Sequence, residues 1–189
     1  LDGTKTHKLV LEGIFGTVKK VITTKKLMET NQVADLKIVC LVLEYPDTER
    51  KLAKKMTYQE EMDFLVSHSK RNTVLKNLCT TQKGNTLVLF QYVEKHGKVL
   101  YDLINNKVGD TRQVFFVHGG TDTEQREQIR ALTEKQDDAI IVASYGTFST
   151  GINIRNLHNI VFASPSKSRI RNLQSIGRGL RKGDNKTSC

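Results

Sequence analysis

Cysteine is scarce in this chain. Cys40, Cys79 and Cys189 are an odd number in 189 residues and share no metal-ligand spacing. That argues against a disulfide framework or a zinc site and predicts a reducing, cytoplasmic setting. Long apolar runs are missing too: none approaches the roughly 20 residues that span a bilayer. No charged-then-apolar leader opens the sequence. Internal repeats and low-complexity tracts are absent. No G-x-x-x-x-G-K-(S/T) occurs, so there is no loop with its lysine to cradle a nucleotide's phosphates. The chain starts at Leu1 rather than Met and stops in a polar tail, so both ends read as cuts in a longer protein.

What is abundant is positive charge. The net charge is +10, distributed as +5 over residues 1–84, −1 over 85–164 and +6 over 165–189. A basic surface seeks polyanions, of which nucleic acid is the usual one, although the same excess also serves solubility. The length suits one domain with an appendage and is enough to bury a core.

The hydrophobic pattern divides the chain near residue 33. Residues 1–33 predict an arm: a turn at Leu1-Asp2-Gly3-Thr4, a short strand around Val18 and Val21-Ile22, and a helix over 25–30 capped by Thr23 or Thr24. Residues 34–189 predict an α/β domain. Leu36–Tyr45 is nearly all apolar and predicts a strand covered on both faces, followed by an exposed charged connection over 49–57. Helices are expected over 58–68 and 71–82. Strands at 86–90, 113–117, 140–143 and 159–163 then alternate with helices over 92–105, 121–135 and 168–181. Thr121 and Glu124 are placed for a capping box. Such alternation predicts a mostly parallel sheet in three layers, with helices on both faces. Ligands bind beyond the carboxyl ends of such strands, so the loops after Phe90, Val117, Ala143 and Ala163 form one functional edge.

That edge carries the chemistry. Gln174-Ser175-Ile176-Gly177-Arg178-Gly179-Leu180-Arg181-Lys182 holds two arginines three apart, on one helix face, with glycines leaving room around the first. Planar guanidinium groups suit phosphate oxygens and can stabilise charge developing on a transferred phosphoryl group. The stretch also fits a basic helix end that complements the dipole, with Lys182-Gly183 as its stop. His118-Gly119-Gly120-Thr121 is either an anion-binding strand-to-helix turn or a tight capped turn. Ser144-Tyr145-Gly146-Thr147 offers hydroxyls and mobile backbone for phosphate and sugar contacts. Lys167, Arg169 and Arg171 could meet phosphates or simply begin a solvated helix, and Ser69-Lys70-Arg71-Asn72 could touch a phosphate but fits a solvated corner better.

Ser144 to Ile154, with its Thr150-Gly151-Ile152-Asn153-Ile154, and Gln174 to Arg181 together resemble motifs V and VI of superfamily 2 helicases. The likeness extends over nearly the whole chain to the recombination helicases of T-even phages. The resemblance implies a RecA-like fold of the P-loop NTPase type and the C-terminal, second motor lobe of an ATP-dependent DNA helicase or translocase. It puts Arg178 and Arg181 in the arginine-finger role. It puts Gly151, Asn153, Gln174 and Gly177 near the nucleotide, and Gln91, Gly119, Gly120, Ser144 and Thr147 on nucleic acid. Asn153 stands where an acidic residue is common. No Asp-Glu pair follows an apolar strand to hold magnesium, so ATP and Mg2+ would be held mainly by an N-terminal RecA-like lobe. Residues 1–33 would be the crossing between lobes. Branched DNA in recombination and fork repair would be the substrate. Another superfamily 2 motor, such as a restriction-type translocase or an RNA helicase, and a non-motor nucleic-acid-binding module are the alternatives.

Overall fold

The computed structural model describes residues 5–19, 21–151, 154–182 and 189. The expected turn at 1–4, Asn153 and the Gly183 stop lie outside them. Contacts divide the chain into two units, Leu1–Val33 and Ala34–Cys189.

The first unit holds two helices, α1 (Lys5–Phe15) and α2 (Thr24–Glu29). Thr23 caps α2 by accepting from the Lys26 amide at 3.2 Å. No strand forms at Val18 or Val21-Ile22, because no neighbouring edge pairs with them, and Val21 is 94% exposed. α1, which the sequence reading did not anticipate, has Lys8 and Glu12 paired one turn apart at 3.7 Å.

The second unit opens with the largest departure from the sequence reading. Residues 36–45 are not a strand. They run beside the sheet's outer edge, where the Lys37 amide donates to Cys189 O at 2.9 Å but no continuous ladder forms. Val39, Leu41 and Leu43 line a groove of about 550 Å³ with Ile160 and Phe162, while Val42 is 87% exposed. Apolar composition made the strand plausible, but a strand exists only where its amides find partners. The charged connection after it contains a helix, α3 (Asp47–Ala53), whose first-turn Asp47 pairs with Arg50 at 3.1 Å. Then come α4 (Tyr58–Ser67), with a Thr57–Glu60 capping box, and α5 (Ser69–Thr81).

The sheet follows: β1 (Thr86–Phe90), β2 (Val114–Val117), β3 (Ile140–Ser144) and β4 (Asn159–Phe162), in the order β2-β3-β1-β4 and parallel throughout. Alternation along the strands feeds two cores. Val88, Phe90, Ile140 and Val142 pack against Leu75 and Cys79 of α5 and against Leu100, Ile104 and Val108 of α6 (Lys98–Val108). Leu87, Leu89, Ile141 and Ala143 pack on the other face against Tyr145 and Phe148 of α8 (Tyr145–Gly151), with Ile129 of α7 (Thr123–Lys135) alongside. The result is the expected three-layer RecA-like arrangement.

Helix boundaries shift where side chains intervene. The helix expected from Tyr92 opens as a π-helical turn over Val93–Gly97. A Cβ at Gly97 would stand 2.5 Å from the Phe90 ring, so only glycine fits. Val99 faces solvent rather than the core. α7 begins at Thr123, and the Thr121–Glu124 box does not form, because Thr121 Oγ1 accepts from the His118 amide at 3.0 Å instead.

The amino ends of the strands are tied by one side chain. Asn85, fully buried, places the two N–H bonds of Nδ2 among the carbonyls of Thr133, Gln136 and Asn156, one of them shared, and accepts through Oδ1 from the Ala139 amide at 2.7 Å. Asn85→Ala strands several buried main-chain groups at once. We expect urea unfolding to show a loss of about 3 kcal/mol or more. A loss below about 1 kcal/mol would mean that water replaces the amide there.

Candidate nucleotide and nucleic-acid edge

Parallel pairing brings every strand's carboxyl end to the same side, and a single web of hydrogen bonds fixes the loops there. Ser164, just past β4, is its hub. Its amide donates to Leu89 O at 3.3 Å, and its carbonyl accepts from Tyr145 Oη at 2.7 Å. Its Oγ accepts from the Gln91 amide at 3.0 Å and lies 2.9 Å from His96 Nδ1. The loops after β1, β3 and β4 thus meet at one residue.

The network also fixes the histidine's protonation. Asn72 Nδ2 donates to Val66 O at 2.9 Å, which leaves Asn72 Oδ1 to accept from His96 Nε2 at 3.2 Å. The proton is therefore assigned to Nε2, and the bare Nδ1 accepts the Ser164 hydroxyl. Burial pushes His96 down to about 4, with the Arg71 charge adding to it. Arg71, itself lowered by burial, donates to Ala163 O from α5. The Ser69–Asn72 segment is thus no solvated corner: Asn72 is buried and Arg71 is a tie to β4.

The residues singled out in the sequence fall around this web. Gln91 is exposed, and its Oε1 accepts from Arg171 of α9 (Arg169–Gly179) at 2.9 Å. Ser144 Oγ and Thr147 Oγ1 lie 2.8 Å apart, and Thr147 is 5% exposed. The segment after β3 is α8, not a mobile turn, and its hydroxyls serve first to close that helix onto the strand. Gly151 ends α8. Gly119 and Gly120 are exposed beyond β2, at the far side of the sheet, where Arg126 donates to Gly119 O at 3.0 Å.

On α9, Ser168 caps the helix start by accepting from the Arg171 amide at 3.3 Å. Arg171 lies 5.6 Å over the Tyr145 ring and Arg178 lies 5.2 Å over Phe148, so aromatic side chains of α8 carry two cations of α9. Gln174 is exposed, and Gly177 has open space around it. Gly179 does not make room for a ligand: a Cβ there would meet Ile160 Cδ1 at 2.7 Å, so this glycine lets α9 pack on β4. The helix ends at Gly179, so Arg181 lies just past it rather than on its face, with its amide on Arg178 O at 3.4 Å. Burial, with the charge of Arg181 adding, lowers Arg178. Such a pair favours a polyanion.

His96, Asn72 and Tyr145 were missed as site residues. The signal was present for His96: it stands four, eight and twelve residues before Leu100, Ile104 and Val108, all buried on one helix face. Among the described residues no group of three or more His, Cys, Asp or Glu side chains could hold a metal ion. No described helix is long and apolar enough to cross a membrane.

This edge gathers Gln91, Arg171, Ser144 and Thr147 beside the strand-end loops of a parallel sheet. Residues 69–183 match the family model for the helicase conserved C-terminal domain, and the chain belongs to that family. It is 46% identical over 189 residues to the ATP-dependent DNA helicase UvsW of Enterobacteria phage T4, covering 98% of this chain and 37% of that protein. It is 27% identical over 128 residues to the provisionally named ATP-dependent helicase IRC3 of Saccharomyces cerevisiae, covering 61% of this chain and 19% of that protein. The crystal structure of T4 UvsW superposes with a TM-score of 0.66 at 42% identity, over 77% of this chain and 29% of that one. The chain thus spans 19–37% of the length of these relatives.

The buried histidine gives a pH signature. Its folded value of about 4 lies below the ordinary 6.5, so the unfolded state takes the proton first. The stability it contributes is full above about pH 6.5 and is lost as pH falls from there toward 4, amounting to about 3 kcal/mol. Urea unfolding between pH 7.5 and 4.5 should show a steeper loss for the wild type than for His96→Gln. Equal slopes would mean that His96 is not held neutral.

Proposed function

We propose that this chain is the second motor lobe of an ATP-dependent DNA helicase or translocase acting on branched DNA in recombination and fork repair. The observation that carries the reading is the convergence of Gln91, Arg171 and the Ser144–Thr147 pair on the carboxyl edge of one parallel sheet, with Arg178 and Arg181 at the far end of the helix that leaves it. A first lobe supplies the phosphate loop and holds Mg2+. ATP, bound in the cleft between the lobes, contributes the phosphoryl group whose transfer to water drives the cycle. Arg178 and Arg181 reach that phosphoryl group and offset its developing charge. Phe148 fixes the Arg178 guanidinium from behind, which reduces the reorganisation left for the reaction.

The nucleic-acid strand lies along the same edge, held through phosphates by Gln91, Gly119, Gly120, Ser144 and Thr147. Gly151, Gln174 and Gly177 line the nucleotide side, the role the resemblance also gives Asn153. Lobe closure on ATP and opening after hydrolysis then shift the strand. Residues 1–33 form the crossing to the first lobe, whose surface covers the arm's exposed apolar side chains, Leu9, Ile14 and Phe15 among them. The work is done in the cytoplasm of a bacterial or phage-infected cell. Similarity to a protein named as a DNA helicase favours DNA over RNA.

Two measurements test this. The 189-residue chain by itself should turn over no ATP, and steady turnover would overturn the split-motor account. In the longer protein, Arg178→Ala or Arg181→Ala should lower ATP turnover by roughly 1,000-fold or more while sparing ATP binding. Unchanged turnover in both variants would place the finger elsewhere.

A further inference from the structure

We infer that Tyr58 and Lys167 form an additional grip for a single nucleic-acid strand, in which a base stacks on the Tyr58 ring and the adjoining phosphate sits on Lys167 Nζ. This rests on the functional reading above and names a contact beyond it. Tyr58 opens α4, ahead of residues 69–183 that the family shares.

Tyr58 is a large aromatic residue left 52% exposed at the rim of the functional edge. Its backbone is rigid. Thr57 caps α4, with its amide donating to Glu60 Oε2 at 2.7 Å, and the Glu60 amide returns to Thr57 Oγ1 at 3.4 Å. Lys167 Nζ stands 4.5 Å over the ring centroid. The loop that carries it is set by Ser166, whose carbonyl accepts from Asn172 Nδ2 at 3.1 Å. No carboxylate pairs with Lys167 among the described residues, and residues 165–182 contain no acid at all. The lysine rests on a π face by default and is available to an anion.

The pair is continuous with the edge already described. Gln59 Nε2 donates to Tyr92 Oη at 3.4 Å, one residue past Gln91, and Lys95 pairs with Asp63 at 3.0 Å. These contacts hold α4 against the loop after β1. Lys167 precedes Arg171, which bonds Gln91. A ring and a cation on rigid supports, beside phosphate-contacting loops, have the chemistry of a sequence-tolerant strand holder. Aromatic faces accept any base, while cations track the backbone. A duplex keeps its bases stacked inside, so the ring contributes to single strands only.

The test is a fluorescence-anisotropy titration of the 189-residue chain with labelled oligo-dT and with a duplex of equal length, at two salt concentrations. Tyr58→Ala should weaken oligo-dT binding roughly 5- to 100-fold, leave the duplex within about 2-fold, and be matched by no loss in Tyr58→Phe. Lys167→Ala should reduce the salt slope by about one for either ligand. Wild-type affinity in Tyr58→Ala, or equal losses on single strand and duplex, overturns the stacking site and leaves the motor-lobe reading intact. Failure of the unaltered chain to bind either oligonucleotide at low salt counts against the nucleic-acid reading itself and takes the inference with it.

Discussion

Ser164 is the joint on which this edge depends. A parallel sheet delivers its strand ends to one side but does nothing to hold the loops that leave them. Here one small residue accepts from the loop after β1, receives the tyrosine that opens the helix after β3, and begins the loop into α9. His96 supports it from the core, and Asn72 orients His96. Each partner has one compatible proton arrangement, so the network has a single low-energy state. It positions Gln91, Arg171 and the helix bearing Arg178 without touching a ligand.

Polar ties at both ends of the strands leave the middle free to be apolar. Asn85 closes the amino side, and the Ser164 web closes the carboxyl side, where chemistry is expected. Between them the strands contribute Leu, Val, Ile, Phe and Ala143 to the two cores. A π-helical turn at Val93–Gly97 is what brings His96 inward, and π turns concentrate at functional positions because they re-aim a side chain at the cost of regular bonding. Gly97 pressed on Phe90 shows how little room that turn has.

Much of this was legible in the sequence. The four strands of the sheet lie where runs of apolar residues predicted them, since periodicity reports burial directly. That the strand ends share one side followed from the strand–helix alternation, whereas the spacing that put Arg178 and Arg181 on one helix face did not hold, because α9 ends at Gly179. Residues 36–45 were misread because composition records apolarity and not whether an amide finds a partner. The segment after Ser144 was misread as a turn because Gly, Ser and Thr disfavour helix locally, whereas Tyr145 and Phe148 bury themselves by forming one. The Ser164–His96–Asn72 web joins residues 68 and 24 positions apart, a separation at which single-residue patterns carry no signal.

The central claim is that the carboxyl edge of the sheet, and not the amino edge, is where this chain meets nucleic acid. Hydrogen–deuterium exchange with and without bound oligonucleotide addresses it directly. Protection should gather at residues 90–92, 118–121, 144–148 and 163–171 and leave the loops around Asn85, Gln136 and Asn156 unchanged. Protection at the amino edge, or spread evenly over the surface, would contradict the account.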